Sequence, residues 1–116
     1  MIFYVGAQLS IVYARGAEES RADAEEHIPP NQSACIANMN ALLRRLADHR
    51  KLSTPDQFRM EGDGIWAVKT RCGLRAYGFY ARGGKFVISH FAMKQRQKME
   101  PADLQRAIET KERWAE

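Results

Sequence analysis

Three short apolar segments separated by glycine-containing turns constrain the fold of this chain most. Residues 65–71, 74–80 and 85–91 are rich in β-branched and aromatic side chains, and the short turns CG and RGG separate them. Connections of two or three residues join antiparallel neighbours, because a parallel pair needs a long crossover. The segment therefore predicts a three-stranded antiparallel meander.

Helical patterns lie before and after this meander. Over residues 34–50 apolar side chains recur at helical spacing, which predicts the main core helix. The side chains on this stripe are Ile36, Met39, Leu42, Leu43, Leu46 and Ala47. A short, mostly exposed helix is predicted over residues 17–27, a loop over 51–58, and a C-terminal helix after Pro101. The first 14 residues predict one further strand, which a bulge could interrupt.

The predicted element order is β-α-α-β-β-β-α. It indicates a small α+β domain, in which an antiparallel sheet mixed with the N-terminal strand carries helices on one face. The length of 116 residues suits a single domain spanning residues 1–116. No apolar run approaches the roughly 20 residues that span a bilayer, so we expect a cytoplasmic protein without membrane contact. Cys35 and Cys72 match no metal-site spacing, and we expect a reduced thiol pair.

Positive charge is concentrated in one part of the chain. Residues 65–98 contain eight Lys and Arg side chains and no Asp or Glu, whereas residues 1–40 contain two basic and five acidic side chains. Soluble surfaces normally mix both signs, so this basic segment favours a polyanionic partner such as nucleic acid. The alternative is a charged face that only aids solubility.

Alternation along the strands predicts where the cations point. If Trp66 and Val68 face the helices, Lys69 and Arg71 project from the opposite, open face of the sheet. Arg75 lies just past the turn and close to them. Arginine offers a planar fork that matches phosphate, so the sequence predicts a phosphate-binding surface on this open face.

The last strand and its surroundings add further candidates. His90 lies beside the predicted cations, and imidazole titrates near neutral pH, so it is a candidate for proton transfer; the alternative is a structural histidine. The candidate RNA contacts are Arg82, Lys85, Lys94 and Lys98. The sequence shows neither an HExxH motif nor a clustered Cys/His pattern, and we predict no metal site.

The segment GDGIWAVKTRCGLRAYGFYARGGKFVISHFAMKQRQKMEPADLQRAIETKERW resembles the RelE/ParE superfamily of bacterial toxins from type II toxin–antitoxin systems. It is most similar to the HigB-like and phage-derived toxin-like branch. The shared features are a glycine-aromatic start to one strand, an arginine early in the next, and an apolar last strand that ends in Phe and a lysine-rich segment. A final helix follows, and the resemblance covers residues 34–114.

The resemblance implies a cofactor-independent and metal-independent endoribonuclease that cuts mRNA on the translating ribosome. The ribose 2′-OH attacks the adjacent phosphate and leaves a 2′,3′-cyclic phosphate, a reaction that needs a base, an acid and cations around the phosphate. Carried over residue by residue, the implied catalytic side chains are Lys69, Arg71, Arg75, His90 and Arg96. Lys69 is the expected base, because neighbouring cations can lower a lysine pKa.

The resemblance also implies a partner and leaves two other functions open. A toxin of the HigB-like branch is neutralised by a cognate antitoxin, typically a small helix-turn-helix protein. One alternative is a toxin of the ParE kind, which poisons DNA gyrase by protein contact. The other is a phage or prophage binding protein that keeps the fold without the activity. No tyrosine follows Tyr80, where some members place one, and this departure leaves room for the last reading.

Overall fold

A mixed β-sheet flanked by helices makes up the computed structural model, which describes residues 1–52, 56–94 and 100–115. The strands in these ranges are β1 (Ile2–Val5), β2 (Ser10–Tyr13), β3 (Phe58–Gly62), β4 (Ile65–Lys69), β5 (Leu74–Ala81) and β6 (Lys85–Met93). The α-helices are α1 (Ala17–Glu25), α2 (Ala34–His49) and α3 (Pro101–Ala115). Within the described ranges, none of the helices is long and apolar enough to cross a bilayer.

The sheet has the strand order β1-β2-β6-β5-β4-β3. β2 runs parallel to β6, and every other neighbouring pair is antiparallel. This arrangement confirms the α+β class and the antiparallel meander of β4, β5 and β6. It also confirms that the N-terminal part of the chain makes the sheet mixed.

The sheet is larger than predicted, with six strands in the described residues instead of four. The N-terminal segment forms two strands, because the chain reverses at Gly6, whose N–H donates to the Leu9 carbonyl at 2.8 Å. A Cβ at Gly6 would lie 2.5 Å from the Ala47 backbone, so the turn can pack against α2 only without a side chain. The predicted loop ends early because β3 begins at Phe58 and pairs with β4.

Helices cover both faces of the sheet, so the prediction that they lie on one face is wrong. α1 and α2 pack on the face of Val68, Ala76, Phe86 and Ile88, while α3 packs on the opposite face. That second core contains Ala67, Tyr77, Phe79, Val87 and Ala107. The strands carry apolar side chains on both sides, which is the pattern of a sheet buried twice.

The core side of α2 follows the predicted stripe with one exception. Met39, Leu43 and Leu46 are fully buried, as predicted. Ile36 is 37 % exposed, and Cys35 is buried in its place. Cys35 turns inward because it contacts the β4–β5 turn.

A disulfide joins Cys35 at the start of α2 to Cys72 in the β4–β5 turn, with Cα atoms 6.0 Å apart. The expected reduced pair is therefore wrong for this structure. The cysteines lie far apart in sequence, and only the packing of α2 against the sheet brings them together. The hydroxyl oxygen of Thr70 lies 3.0 Å from the Cys72 sulfur and 3.7 Å from the Cys35 sulfur.

We expect the disulfide to stabilise the fold measurably. It closes a loop with a sequence separation of 37 residues, and such a crosslink restricts the unfolded chain. Replacing both cysteines with serine is expected to lower the free energy of unfolding by about 2–4 kcal/mol. Urea denaturation with and without a thiol reductant measures the effect. Equal midpoints for the wild type in the two conditions, with unreacted thiols found by labelling, would show that the bond does not form.

Candidate active site beneath the C-terminal helix

A β-bulge in β6 places two polar side chains under α3. The β5–β6 register shifts between Tyr77 and Gly78, so that Tyr77 pairs with His90 and Gly78 pairs with Ile88. Ser89 is the extra residue, and the bulge reverses the alternation of side chains along β6. Without it His90 would point, like Ile88, towards α1 and α2. With it, Ser89 and His90 both reach residues of α3.

His90 is 1 % exposed, and both of its ring nitrogens have partners. Nε2 lies 3.1 Å from Oδ1 of Asp103 in the first turn of α3. Nδ1 lies 2.9 Å from the Ser89 hydroxyl, which donates to the Thr110 hydroxyl at 3.0 Å. The imidazole is therefore held between a carboxylate and a chain of hydroxyl groups.

Lys94 completes an ion-pair network with the same helix turn. Its Nζ lies 2.7 Å from Oδ2 of Asp103 and 3.2 Å from Oε2 of Glu100. Burial opposes the ionisation of Asp103 and of Lys94, but the hydrogen bonds between the two side chains outweigh this effect of burial. These bonds and the one from His90 lower the pKa of Asp103 below its usual 3.8, and the two acids raise the pKa of Lys94.

The backbone beside Lys94 is tied to the β4–β5 turn. The Lys94 N–H donates to the Gly73 carbonyl at 2.8 Å. Gly73 has a φ of +100°, and a Cβ there would lie 2.1 Å from the Lys94 carbonyl oxygen. The turn therefore requires glycine, and it fixes where Lys94 leaves the sheet.

Arg75, Tyr77 and Lys69 lie on the same face of the sheet, next to this network. Lys69 pairs with Arg75 across β4 and β5, and the Tyr77 ring lies 5.1 Å from the His90 ring, centroid to centroid. Burial raises the pKa of Tyr77, the charge of Asp103 adds to this effect, and Arg75 and Lys94 oppose it. Lys69 Nζ forms an ion pair with Oε1 of Glu61 at 3.2 Å.

The structure thus brings together four of the predicted residues: Lys69, Arg75, His90 and Lys94. The expected open face is not present, because α3 packs on this side of the sheet and contacts His90 and Lys94. Arg75 is only 4 % exposed and Lys69 only 7 %. Lys69 and Arg75 lie on the side of the sheet opposite Val68, as predicted. The prediction did not include α3, which packs on that same side.

The other predicted residues lie elsewhere. Arg71 is exposed in the β4–β5 turn and lines a pocket with residues near the start of α2, such as Gln32 and Asn38. Arg82 and Lys85 lie at the β5–β6 hairpin turn, at the opposite end of these strands from Lys94. At about 3.3 Å per residue this end is roughly 20–23 Å from Arg75. Neither residue therefore belongs to the cluster formed by Lys69, Arg75, Tyr77, His90, Lys94 and Asp103. Arg96 and Lys98 fall outside the described residues.

Sequence reasoning missed two members of the cluster, Tyr77 and Asp103. Tyr77 follows Arg75 by two residues, so alternation along a strand places both on one face. Asp103 falls in the first turn of a helix, where acids are favoured for reasons unrelated to a site. The position of α3 over the sheet, which no local pattern predicts, gives Asp103 its partners.

The ion pairs of Asp103 predict a specific acid sensitivity. Because the folded-state pKa of Asp103 lies below its usual 3.8, its contribution to stability is present at neutral pH. It begins to fall near pH 4 and is lost as the pH drops through the lower folded-state value. We expect Asp103→Asn to flatten the pH dependence of the urea midpoint between pH 2 and 5. Glu112→Gln, an exposed change on the same helix, serves as the control, and equal slopes for the two variants would contradict the prediction.

Chemically, the cluster combines cations with groups that exchange protons. Two fixed positive side chains, Arg75 and Lys94, lie near an imidazole and a phenol. Such a set can neutralise charge on a phosphate and move a proton to or from an oxygen.

Comparison of the chain with models of known protein families and with curated proteins finds no match.

Proposed function

We propose that this protein is a RelE-like toxin of a type II toxin–antitoxin system that cleaves mRNA on the ribosome. The observation that carries the proposal is the convergence of Arg75, His90 and Lys94 on one face of β5 and β6. The similarity of residues 34–114 to the HigB-like and phage-derived branch supports it. The order of β4, β5, β6 and α3 agrees with the order that this resemblance implies.

In the proposed reaction the ribose 2′-oxygen attacks the adjacent phosphorus, and the bond from phosphorus to the 5′-oxygen breaks. The products are a 2′,3′-cyclic phosphate and a free 5′-hydroxyl. Arg75 and Lys94 stabilise the charge that develops on the phosphate oxygens. His90 is assigned the proton transfer, because it is the imidazole beside these cations: it takes the proton of the 2′-hydroxyl, and a proton returns from the imidazolium to the leaving 5′-oxygen.

Lys69 takes a different role from the one expected of it. The base assignment rested on neighbouring cations, but the residue that pairs with Lys69 is the Glu61 carboxylate. In this structure the Lys69 side chain is nearly buried and already engaged in that ion pair. We therefore assign Lys69 to positioning Arg75, its neighbour across the strands, and to the positive field of the site.

A second candidate function is a binding protein that keeps this fold without catalysis. The burial of His90, Arg75 and Lys69 favours it, because buried groups do not reach an external phosphate. For the nuclease, the proposed partners are mRNA on the ribosome and a helix-turn-helix antitoxin, and the proposed site of action is the cytoplasm. For the binding protein, a protein partner replaces RNA.

A translating extract separates these functions. Added protein is expected to cut a translated mRNA within its reading frame and to leave the same transcript intact when initiation is blocked. Intact transcripts in both conditions would rule out the nuclease. Gyrase-linked breaks in plasmid DNA would instead indicate a toxin of the ParE kind.

A further inference from the structure

The cations of the candidate site already have anionic partners inside the chain. Asp103 uses one carboxylate oxygen for His90 and the other for Lys94, and Glu100 adds a second carboxylate to Lys94. Glu100 immediately precedes α3, and Asp103 lies in its first turn. A carboxylate and a phosphodiester present similar pairs of anionic oxygens to such cations. The acids therefore lie where a phosphate of a bound nucleic acid would have to lie.

The first turn of α3 is held to the sheet by these polar contacts and by Leu104, which packs against the second core but is only partly buried. The buried residues of α3 are Ala107 and Thr110, which lie beyond that turn. Further along, Lys111 Nζ donates to the Asp63 carbonyl at 2.9 Å, and Thr110 bonds to Ser89. The second half of α3 can therefore stay docked while its first turn separates from His90 and Lys94.

We infer that Asp103 and Glu100 occupy the phosphate-binding position of the site, so that the first turn of α3 competes with RNA for His90 and Lys94. The inference rests on the proposed function and deepens it. It explains why side chains assigned to RNA cleavage are buried. In this account the described structure is the closed form, and a single-stranded RNA phosphate displaces the two carboxylates when it binds.

The test compares two charge-matched double variants. Glu100→Gln with Asp103→Asn removes both competing charges with little change of shape, and Glu109→Gln with Glu112→Gln removes two exposed charges from the same helix. The probe is a short 2′-O-methyl RNA, which lacks the attacking hydroxyl and so reports binding without cleavage. We expect the first variant to bind it at least tenfold more tightly than wild type, and the second to change binding less than threefold. Equal affinities for the two variants, or weaker binding by the first, would overturn the inference.

Hydrogen exchange on the wild type provides a second measurement should the first variant fail to fold. The amides of Asp103 and Leu104 donate to the Glu100 carbonyl, at 3.0 and 3.3 Å. They are expected to exchange faster when the 2′-O-methyl RNA is bound, and unchanged or slower exchange with RNA bound would contradict displacement.

The two proposals fail in distinguishable ways. Tighter binding by the first variant without cleavage of natural RNA by any variant supports the masked phosphate site and rejects the nuclease. Cleavage by wild type with no gain in binding for the first variant supports the nuclease and rejects the masking role of α3.

Discussion

Replacing His90 with glutamine is expected to lower the rate of RNA cleavage by about 10²–10⁴-fold, the usual contribution of a proton-transferring side chain. Glutamine keeps an N–H that can donate to Asp103, but it cannot exchange a proton near neutral pH. The measurement is the rate of cutting of a defined mRNA in a translating extract, at equal concentrations of folded protein. Urea denaturation of each variant establishes that concentration.

Two other histidines provide matched controls. His27 and His49 are exposed, and both lie outside the candidate site. Replacing either with glutamine is expected to leave the cleavage rate within about twofold of wild type, a small change in barrier. A His90→Gln protein that is folded and cleaves at the wild-type rate would show that His90 is a structural histidine.

Replacing Lys69 with methionine is expected to lower the free energy of unfolding by about 3–5 kcal/mol. The side chains of Lys69 and Glu61 are 7 % and 13 % exposed, so removing the ammonium leaves a nearly buried carboxylate without its cation. Urea denaturation at neutral pH measures the loss. Lys85 is partly exposed and lies at the other end of the sheet. Lys85→Met is therefore expected to lower the free energy of unfolding by less than about 1 kcal/mol.

The matching change on the partner tests the cause. Glu61→Met combined with Lys69→Met replaces an ion pair with apolar side chains, an exchange that is often neutral. We expect the double variant to regain most of the stability that Lys69→Met loses. A double variant as unstable as the single one would show that Lys69 acts through packing rather than charge. The result also decides how cleavage by Lys69 variants is interpreted, because an unfolded protein loses activity for an unrelated reason.

The elements with strong periodicity could be predicted from the sequence. Met39, Leu43 and Leu46 follow one side of α2, and the tight turns identify the β4–β6 meander. β3 could not be predicted in the same way. Its residues follow a Pro-containing stretch of sequence and become a strand by pairing with β4, so the stabilising partner lies outside the segment.

The side of the sheet that α3 covers was misjudged for a similar reason. Lys69 and Arg71 suggested a solvent-exposed side of β4, yet Ala67 lies on the same side as Lys69 and packs beneath α3. Alternation shows which residues share a face but not what lies over that face. The apolar stripe of α3 fits either side, because both faces of the sheet carry a core.

The charge pattern predicted the cations of the site but not its electrostatics. Residues 65–98 contain no acid, and this favoured an open anion-binding surface. The acids that pair with the cations lie just outside that segment, at Glu61, Glu100 and Asp103. A segment without acids in sequence is therefore not a region without acids in space, and only the folded chain shows the difference.

Mapping the ends of RNA fragments tests the central claim most directly. A translated mRNA is incubated with wild-type protein or with His90→Gln, and the chemistry at each new end is determined. The account predicts 5′-hydroxyl and 2′,3′-cyclic phosphate ends within the reading frame for wild type, and their loss in His90→Gln. Intact transcripts with wild-type protein, or fragments with 5′-phosphate and 3′-hydroxyl ends, would contradict it.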